Sequence, residues 1–235
     1  MVIAVWWACP ADVRPAHLDL LSDAERQRRA ALRRPEDQAR QTAAAALLRL
    51  AAGQELSQDP HSVRVERSCP DCAVPHGRPV LPGTGLHVSV SHSGDRIAVV
   101  LGRGGPLGVD VEQAVPDRDV AGLSRLALSP AELARGVPDQ AGFYTYWTRK
   151  ESVLKATGDG LRTAMTKIEV SAPHEPPRLH RYDGRPEIVA GSAMYTLSPG
   201  DGYHAALTVL DAAAPAGVTE RDGSALLAGH QGEGL

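Results

Sequence analysis

From His87 to Leu101 the chain alternates apolar and polar positions through HVSVSH and RIAVVL, with Ser93-Gly94-Asp95 between them. Period-two alternation around a Gly-Asp turn predicts a β-hairpin. Beyond it, Leu107-Gly108-Val109-Asp110-Val111-Glu112 sets valines between carboxylates, which predicts a strand with one apolar face. Side chains two apart share a face, so Asp110 and Glu112 point the same way. Elsewhere the punctuation is helical. Ser22 with Glu25 has capping-box spacing, and Pro35 breaks a basic, alanine-rich run before a second helix that should end at Gly53. Ser129-Pro130-Ala131-Glu132 repeats the cap ahead of a longer helix expected over roughly 142–157, up to Gly158. The rest reads as strands and turns. Residues after about 211 lack apolar periodicity and read as a flexible tail over 211–235.

An internal echo runs through these signals. Leu21-Ser22-Asp23-Ala24-Glu25 resembles Leu128-Ser129-Pro130-Ala131-Glu132 at an offset of 107, and Ser93-Gly94-Asp95 resembles Pro199-Gly200-Asp201 at an offset of 106. Short matches arise easily in an alanine-rich chain; a true duplication would give two similar α/β halves. A length of 235 residues accommodates either one large domain or two small ones.

Composition narrows the function. Net charge is −3 with both signs mixed along the chain, which argues against coating nucleic acid or anionic lipid. The start MVIAVWWACPADV lacks the basic and long apolar regions of a secretory signal, and no stretch approaches a membrane span, so the reading is a cytoplasmic protein. Three cysteines make no disulfide framework. Cys69-x2-Cys72-x3-His76 has part of a zinc spacing but no evident fourth ligand, and that question stays open. Only three of the 25 basic residues are lysine, and Lys150 and Lys155 share one helical segment. Either chance placed them there or that segment needs an ammonium where a guanidinium would not serve.

The candidate chemistry lies in three carboxylates, Asp110 and Glu112 on the strand and Glu151 on the helix, which together would suit a hard cation such as magnesium. The alternative for Asp110 and Glu112 is the solvated face of a half-buried strand. On the helix, Trp147, Glu151 and Lys155 recur every four positions and share a face. That spacing is also what an ordinary Glu-Lys surface pair beside a core tryptophan would show.

The two segments together resemble the phosphopantetheinyl transferase signature: Gly108-Val109-Asp110-Val111-Glu112, a spacer of 34 residues, then Trp147-Thr148-Arg149-Lys150-Glu151-Ser152-Val153-Leu154-Lys155. Val90-Ser91-His92-Ser93-Gly94 is similar to the Ser-His-Ser element of the surfactin-type (Sfp-like) members, and Gly77-Arg78-Pro79 to their Gly-Lys-Pro. The resemblance spans roughly residues 20–210. It implies an α+β pseudo-dimer of two similar halves with the active site in the cleft between them. The halves would be residues 1–105, on the 3′-phosphate and adenine side of coenzyme A, and 106–210, carrying the metal and catalytic motifs.

By that resemblance Asp110, Glu112 and Glu151 hold Mg²⁺, with Mn²⁺ able to substitute, and Glu151 draws the proton from a carrier-protein serine while Lys155 stabilises charge at the transferring phosphate. Coenzyme A is the co-substrate, contacted by Arg28, Arg40, Arg78, Ser91, His92, Lys150 and Lys155. On sequence alone Arg40 reads first as a solvated arginine and His92 as a satisfied, partly buried histidine, and it is the resemblance that turns both towards coenzyme A. The implied activity is transfer of 4′-phosphopantetheine to apo acyl or peptidyl carrier proteins of polyketide, nonribosomal peptide or other secondary-metabolite synthases, by a monomer with no nucleic-acid or membrane partner. Arg78 for the family's usual lysine, and Glu25 where some relatives place a basic residue, weaken the adenine-side assignments more than the metal site. A binding module that keeps the fold without turnover is the rival, and the intact set Asp110, Glu112, Glu151 and Lys155 argues against it.

Overall fold

The computed structural model describes residues 2–67, 77–211 and 217–231. The chain divides into two compact units, Val2–Arg103 with Val218–Leu235, and Gly104–Gly217.

The first unit opens on β1 (Val2–Ala8). Its run Ile3-Ala4-Val5-Trp6 is buried throughout, which explains why the sequence shows no alternation there: a strand covered on both faces is continuously apolar. α1 (Asp23–Ala31) starts on the Ser22–Glu25 capping box, and α2 (Pro35–Leu56) starts on Pro35. α2 does not end at Gly53 but continues to Leu56 and is capped by Ser57 in the left-handed conformation. Gly53 serves packing instead, because a β-carbon there would lie 2.9 Å from the Gln58 carbonyl oxygen. The hairpin is β2 (His87–Ser93) and β3 (Arg96–Gly102), in register Ser91 to Ala98 and His92 to Ile97. β3 also pairs antiparallel with β1.

In the second unit, β4 (Leu107–Gln113) is followed by α3 (Val120–Ala127), α4 (Pro130–Leu133) and α5 (Gln140–Thr157). β5 (Ile168–Val170) and β6 (Leu179–Tyr182) form a small antiparallel pair. α6 (Pro186–Ala190) then leads to the hairpin of β7 (Ala193–Thr196) and β8 (Tyr203–Val209). The sheet order is β4-β8-β7, with Asp110 opposite Ala206 and Glu112 opposite His204.

The expected tail is corrected by the structure. β9 (Gly217–Asp222) adds to the first unit's sheet, whose order is β2-β3-β1-β9, and α7 (Gly223–Gly229) follows it. Leu227 is fully buried in the same core as Trp6, Leu47, Val99 and Leu101. Anchors surround it: Trp7 donates to Glu220 at 2.7 Å, the Arg221 guanidinium lies 5.1 Å from the Trp6 ring centroid, and the carbonyl of Leu227 meets His17 Nε2 at 3.0 Å. Helix and strand signals here are short, and the apolar contact is carried by two adjacent leucines, Leu227 buried and Leu226 partly so, which show no period. Among the described residues no helix is long and apolar enough to cross a membrane. Cys69, Cys72 and His76 lie outside the described residues.

Candidate active site

Close approach of one helix to one strand builds the site. A β-carbon on Gly108 would lie 2.2 Å from the Ser152 carbonyl oxygen and 2.3 Å from the Ala156 nitrogen. The α5 backbone therefore rests directly on β4, at a distance only glycine permits. A hydroxyl pair, Ser152 Oγ to Thr208 Oγ1 at 2.7 Å, fixes the helix against the neighbouring β8. With the helix so seated, the residues immediately before Ser152 and Ala156, Glu151 and Lys155, lie towards the carboxylate face of β4.

Asp110 is buried and its Oδ1 accepts from Lys155 Nζ at 2.7 Å. Glu112 is half-buried, two positions along the same face. Glu151 is half-buried on α5. Burial pushes its carboxyl up to about 6, the neighbouring charges of Asp110 and Glu112 push the same way, and only Lys155 opposes them. Asp110 and Glu112 act on Glu151 as like charges, after burial, so the three carboxylates share one neighbourhood. The structure thus brings Asp110, Glu112, Glu151 and Lys155 together. Among the described residues no three His, Cys, Asp or Glu side chains close into a metal centre. The donor set is nonetheless all oxygen, and one ammonium faces three carboxylates; a hard divalent cation fits that chemistry. Trp147, one turn before Glu151, packs its ring 5.8 Å from that of Phe143.

Lys150 does not belong to this site. Its side chain is fully buried, and its three N–H groups go to Glu132 Oε2 at 2.5 Å, the Ala127 carbonyl at 2.8 Å and the Met165 carbonyl at 3.1 Å. Glu132 is equally buried and also accepts from the Ser129 and Val170 amides, at 2.7 and 2.8 Å. A residue saturated in this way has no donor for coenzyme A, so the cofactor role expected for Lys150 is replaced by a structural one. The scarcity of lysine marked the helix correctly but did not separate its two lysines.

The other expected contacts lie in the first unit. Ser91 is buried on β2, His92 is exposed beside it, and Arg78 is exposed. Arg40, on α2, donates from Nε to the Gly94 carbonyl at 2.9 Å and pairs with Asp37. It therefore stands at the β2–β3 turn, next to the segment that carries His92. Arg28 is half-buried on α1 and acts electrostatically on Arg67, whose own pKa is lowered first by burial and then by Arg28. Glu25, the apparent departure, is buried and pairs with Arg49 at 2.8 Å. Burial alone would raise its carboxyl, but the Arg49 charge and hydrogen bonds from Arg49 and Ser22 hold it below the ordinary value.

The 4′-phosphopantetheinyl transferase superfamily model matches residues 106–208. 4′-phosphopantetheinyl transferase HetI of Nostoc sp. is 31% identical over 217 residues, covering 86% of each chain. A putative 4′-phosphopantetheinyl transferase, slr0495 of Synechocystis sp., is 28% identical over 172 residues, 69% of this chain and 68% of that one. A 4′-phosphopantetheinyl transferase of Bacillus subtilis is 30% identical over 130 residues, 48% of this chain and 57% of that one.

Proposed function

Because the chain belongs to the 4′-phosphopantetheinyl transferase superfamily, we propose that it moves 4′-phosphopantetheine from coenzyme A to a serine of apo acyl or peptidyl carrier proteins, in a magnesium-dependent step that releases 3′,5′-ADP. The observation that carries this reading is the seating of α5 on β4 at Gly108, which collects Glu151 and Lys155 against Asp110 and Glu112.

A magnesium ion held by Asp110, Glu112 and Glu151 would supply charge neutralisation for the coenzyme A pyrophosphate. The chain's own groups do the rest. Glu151, raised to about 6, is ionised near neutral pH yet a better base than an ordinary carboxylate, which suits removal of the serine proton as the hydroxyl attacks the phosphorus. The bond from that phosphorus to the leaving phosphate of 3′,5′-ADP breaks as the serine ester forms. Lys155, a compact ammonium now resting on Asp110, faces the same locality and offsets charge that grows on the transferring phosphoryl group. Arg28, Arg40, Arg78, Ser91 and His92 make up the coenzyme A recognition set in this proposal. The surfactin-type similarity in Ser91-His92-Ser93 supports carrier proteins of secondary-metabolite synthases as substrates, and the enzyme as a cytoplasmic monomer of two similar halves.

The test is intact-mass measurement of an apo carrier protein incubated with coenzyme A and enzyme, with magnesium and with EDTA. A gain of one phosphopantetheine in the first arm alone is expected, and undiminished transfer in EDTA overturns the metal assignment. Asp110→Ala should abolish the gain.

A further inference from the structure

One side chain ties the segment after β4 to α5, and the transfer reading does not use it. The Tyr144 ring is 1% exposed, set edge-on to Phe143 at 5.6 Å and stacked on His204 at 5.9 Å with an interplanar angle of 13°. His204 is the cross-strand neighbour of Glu112. Packing immobilises the ring, so its hydroxyl oxygen is a fixed point. That oxygen accepts from the Val115 amide at 3.1 Å and from Arg118 Nη1 at 3.2 Å. Gln140 adds a second tie by donating to the Val115 carbonyl. The Ala114 amide donates to the Gly202 carbonyl at 2.8 Å, so the segment is fastened before Arg118 as well.

Arg118 is exposed, and among the described residues its guanidinium makes one hydrogen bond, to Tyr144. Most of the donor fork is therefore open to a ligand. Its anchor Tyr144 is stacked on His204, which lies across from Glu112, so the guanidinium is tethered to the strand pair that carries Glu112, the last of the charges that act on it.

We propose that Arg118 binds a phosphate oxygen of coenzyme A and that Tyr144 is its positioning residue, holding the guanidinium at the β4–β8 strand pair. This rests on the transferase reading. An exposed arginine samples many rotamers, and ordering it on binding costs affinity; a rigid acceptor removes most of that cost before substrate arrives. A planar fork also suits two-point contact with phosphate, and its charge offsets the repulsion between the carboxylates and an anionic substrate.

The experiment measures coenzyme A affinity by titration calorimetry with magnesium, together with KM for coenzyme A, KM for the carrier protein and kcat. Arg118→Ala is expected to weaken coenzyme A about tenfold in Kd and KM with kcat little changed, and Arg118→Lys to recover only part. Tyr144→Phe should reproduce most of that loss, and the double variant should be no worse than Arg118→Ala alone, because the hydroxyl acts through the guanidinium. A purely structural tyrosine would instead lower the unfolding midpoint and add its effect to that of Arg118→Ala. The proposal is overturned if wild type binds coenzyme A and neither variant weakens it, or if only the KM for carrier protein rises, which would make an acidic group of the carrier the ligand. If wild type binds no coenzyme A, the transferase reading itself falls.

Discussion

Both units share a sequence of landmarks, a strand, a short helix opened by a capping box, a long helix, and a hairpin whose second strand pairs with the first strand of the unit, to which the second unit adds α3, the β5–β6 pair and α6. β2-β3-β1 in the first matches β7-β8-β4 in the second. Each capping-box glutamate is buried and ion-paired with a base on the long helix, Glu25 with Arg49 at 2.8 Å and Glu132 with Lys150 at 2.5 Å. The units part where the long helix faces the first strand. α2 is alanine and leucine from Ala43 to Ala52 apart from Arg49, and β1 offers it Ala4 and Trp6. α5 carries Glu151 and Lys155, and β4 offers Asp110 and Glu112. An apolar contact is enough to hold this frame together. The second unit gives up part of it to bury carboxylates near one another, and the Glu151 carboxyl is pushed up to about 6, first by burial and then by Asp110 and Glu112.

The comparison breaks first at the shared ion pairs. Glu132→Ala leaves a fully buried ammonium with only carbonyl partners and should cost about 3–5 kcal/mol, readable as a fall in the urea midpoint. Glu25→Ala should cost less, since Arg49 keeps the Ala45 carbonyl and its side chain is 5% exposed where that of Lys150 is fully buried. Equal losses would mean the pairs are interchangeable and that depth of burial does not set their worth.

Stability and function are separated by Glu151→Gln. Transfer should fall about a hundredfold, the usual scale for a positioned acid, base or charge stabiliser. In metal-free buffer the same variant should melt no lower than wild type, because it removes a charge that burial and two carboxylates oppose. A less than tenfold loss of rate would reduce Glu151 to a surface residue.

Gly108→Ala tests the seating itself. The added methyl meets backbone atoms rather than a flexible side chain, so helix and strand must part, at about 1–3 kcal/mol in stability. Rate should suffer more than stability, since Lys155 and Asp110 separate with the helix; circular dichroism melts and mass-based transfer rates on one preparation would show the ratio.

The smallest effect concerns the segment that completes the first unit. His17 is fully buried, and its Nδ1 accepts the Arg14 amide at 2.9 Å, so Nε2 donates to the Leu227 carbonyl. Burial lowers its pKa below the ordinary 6.5 and the bond to Leu227 only partly offsets this. Below about 6.5 the unfolded chain binds a proton the folded one refuses, so stability is fully present above that pH and is lost as pH falls towards the folded value, by at most about 1.4 kcal/mol per pH unit. His17→Gln should flatten the slope of unfolding free energy between pH 5 and 7; an unchanged slope would assign it to other groups.

Sequence by itself determined whatever depends on local spacing. The two capping boxes, the hairpin at Ser93-Gly94-Asp95, the strand face shared by Asp110 and Glu112, and the helix face of Glu151 and Lys155 all follow from periods of 2 and 3.6 residues, and the structure keeps them. Tertiary structure decided the rest, because burial and long-range partners leave no mark on neighbouring positions. Lys150 and Lys155 look alike along the chain; packing alone sends one to Glu132 in the core and the other to Asp110 at the site. Gly108 looks like one small residue in a strand until a helix lies on it. The last strand and helix were hidden for the same reason, since what holds them is a sheet edge and a buried leucine more than a hundred residues from their partners.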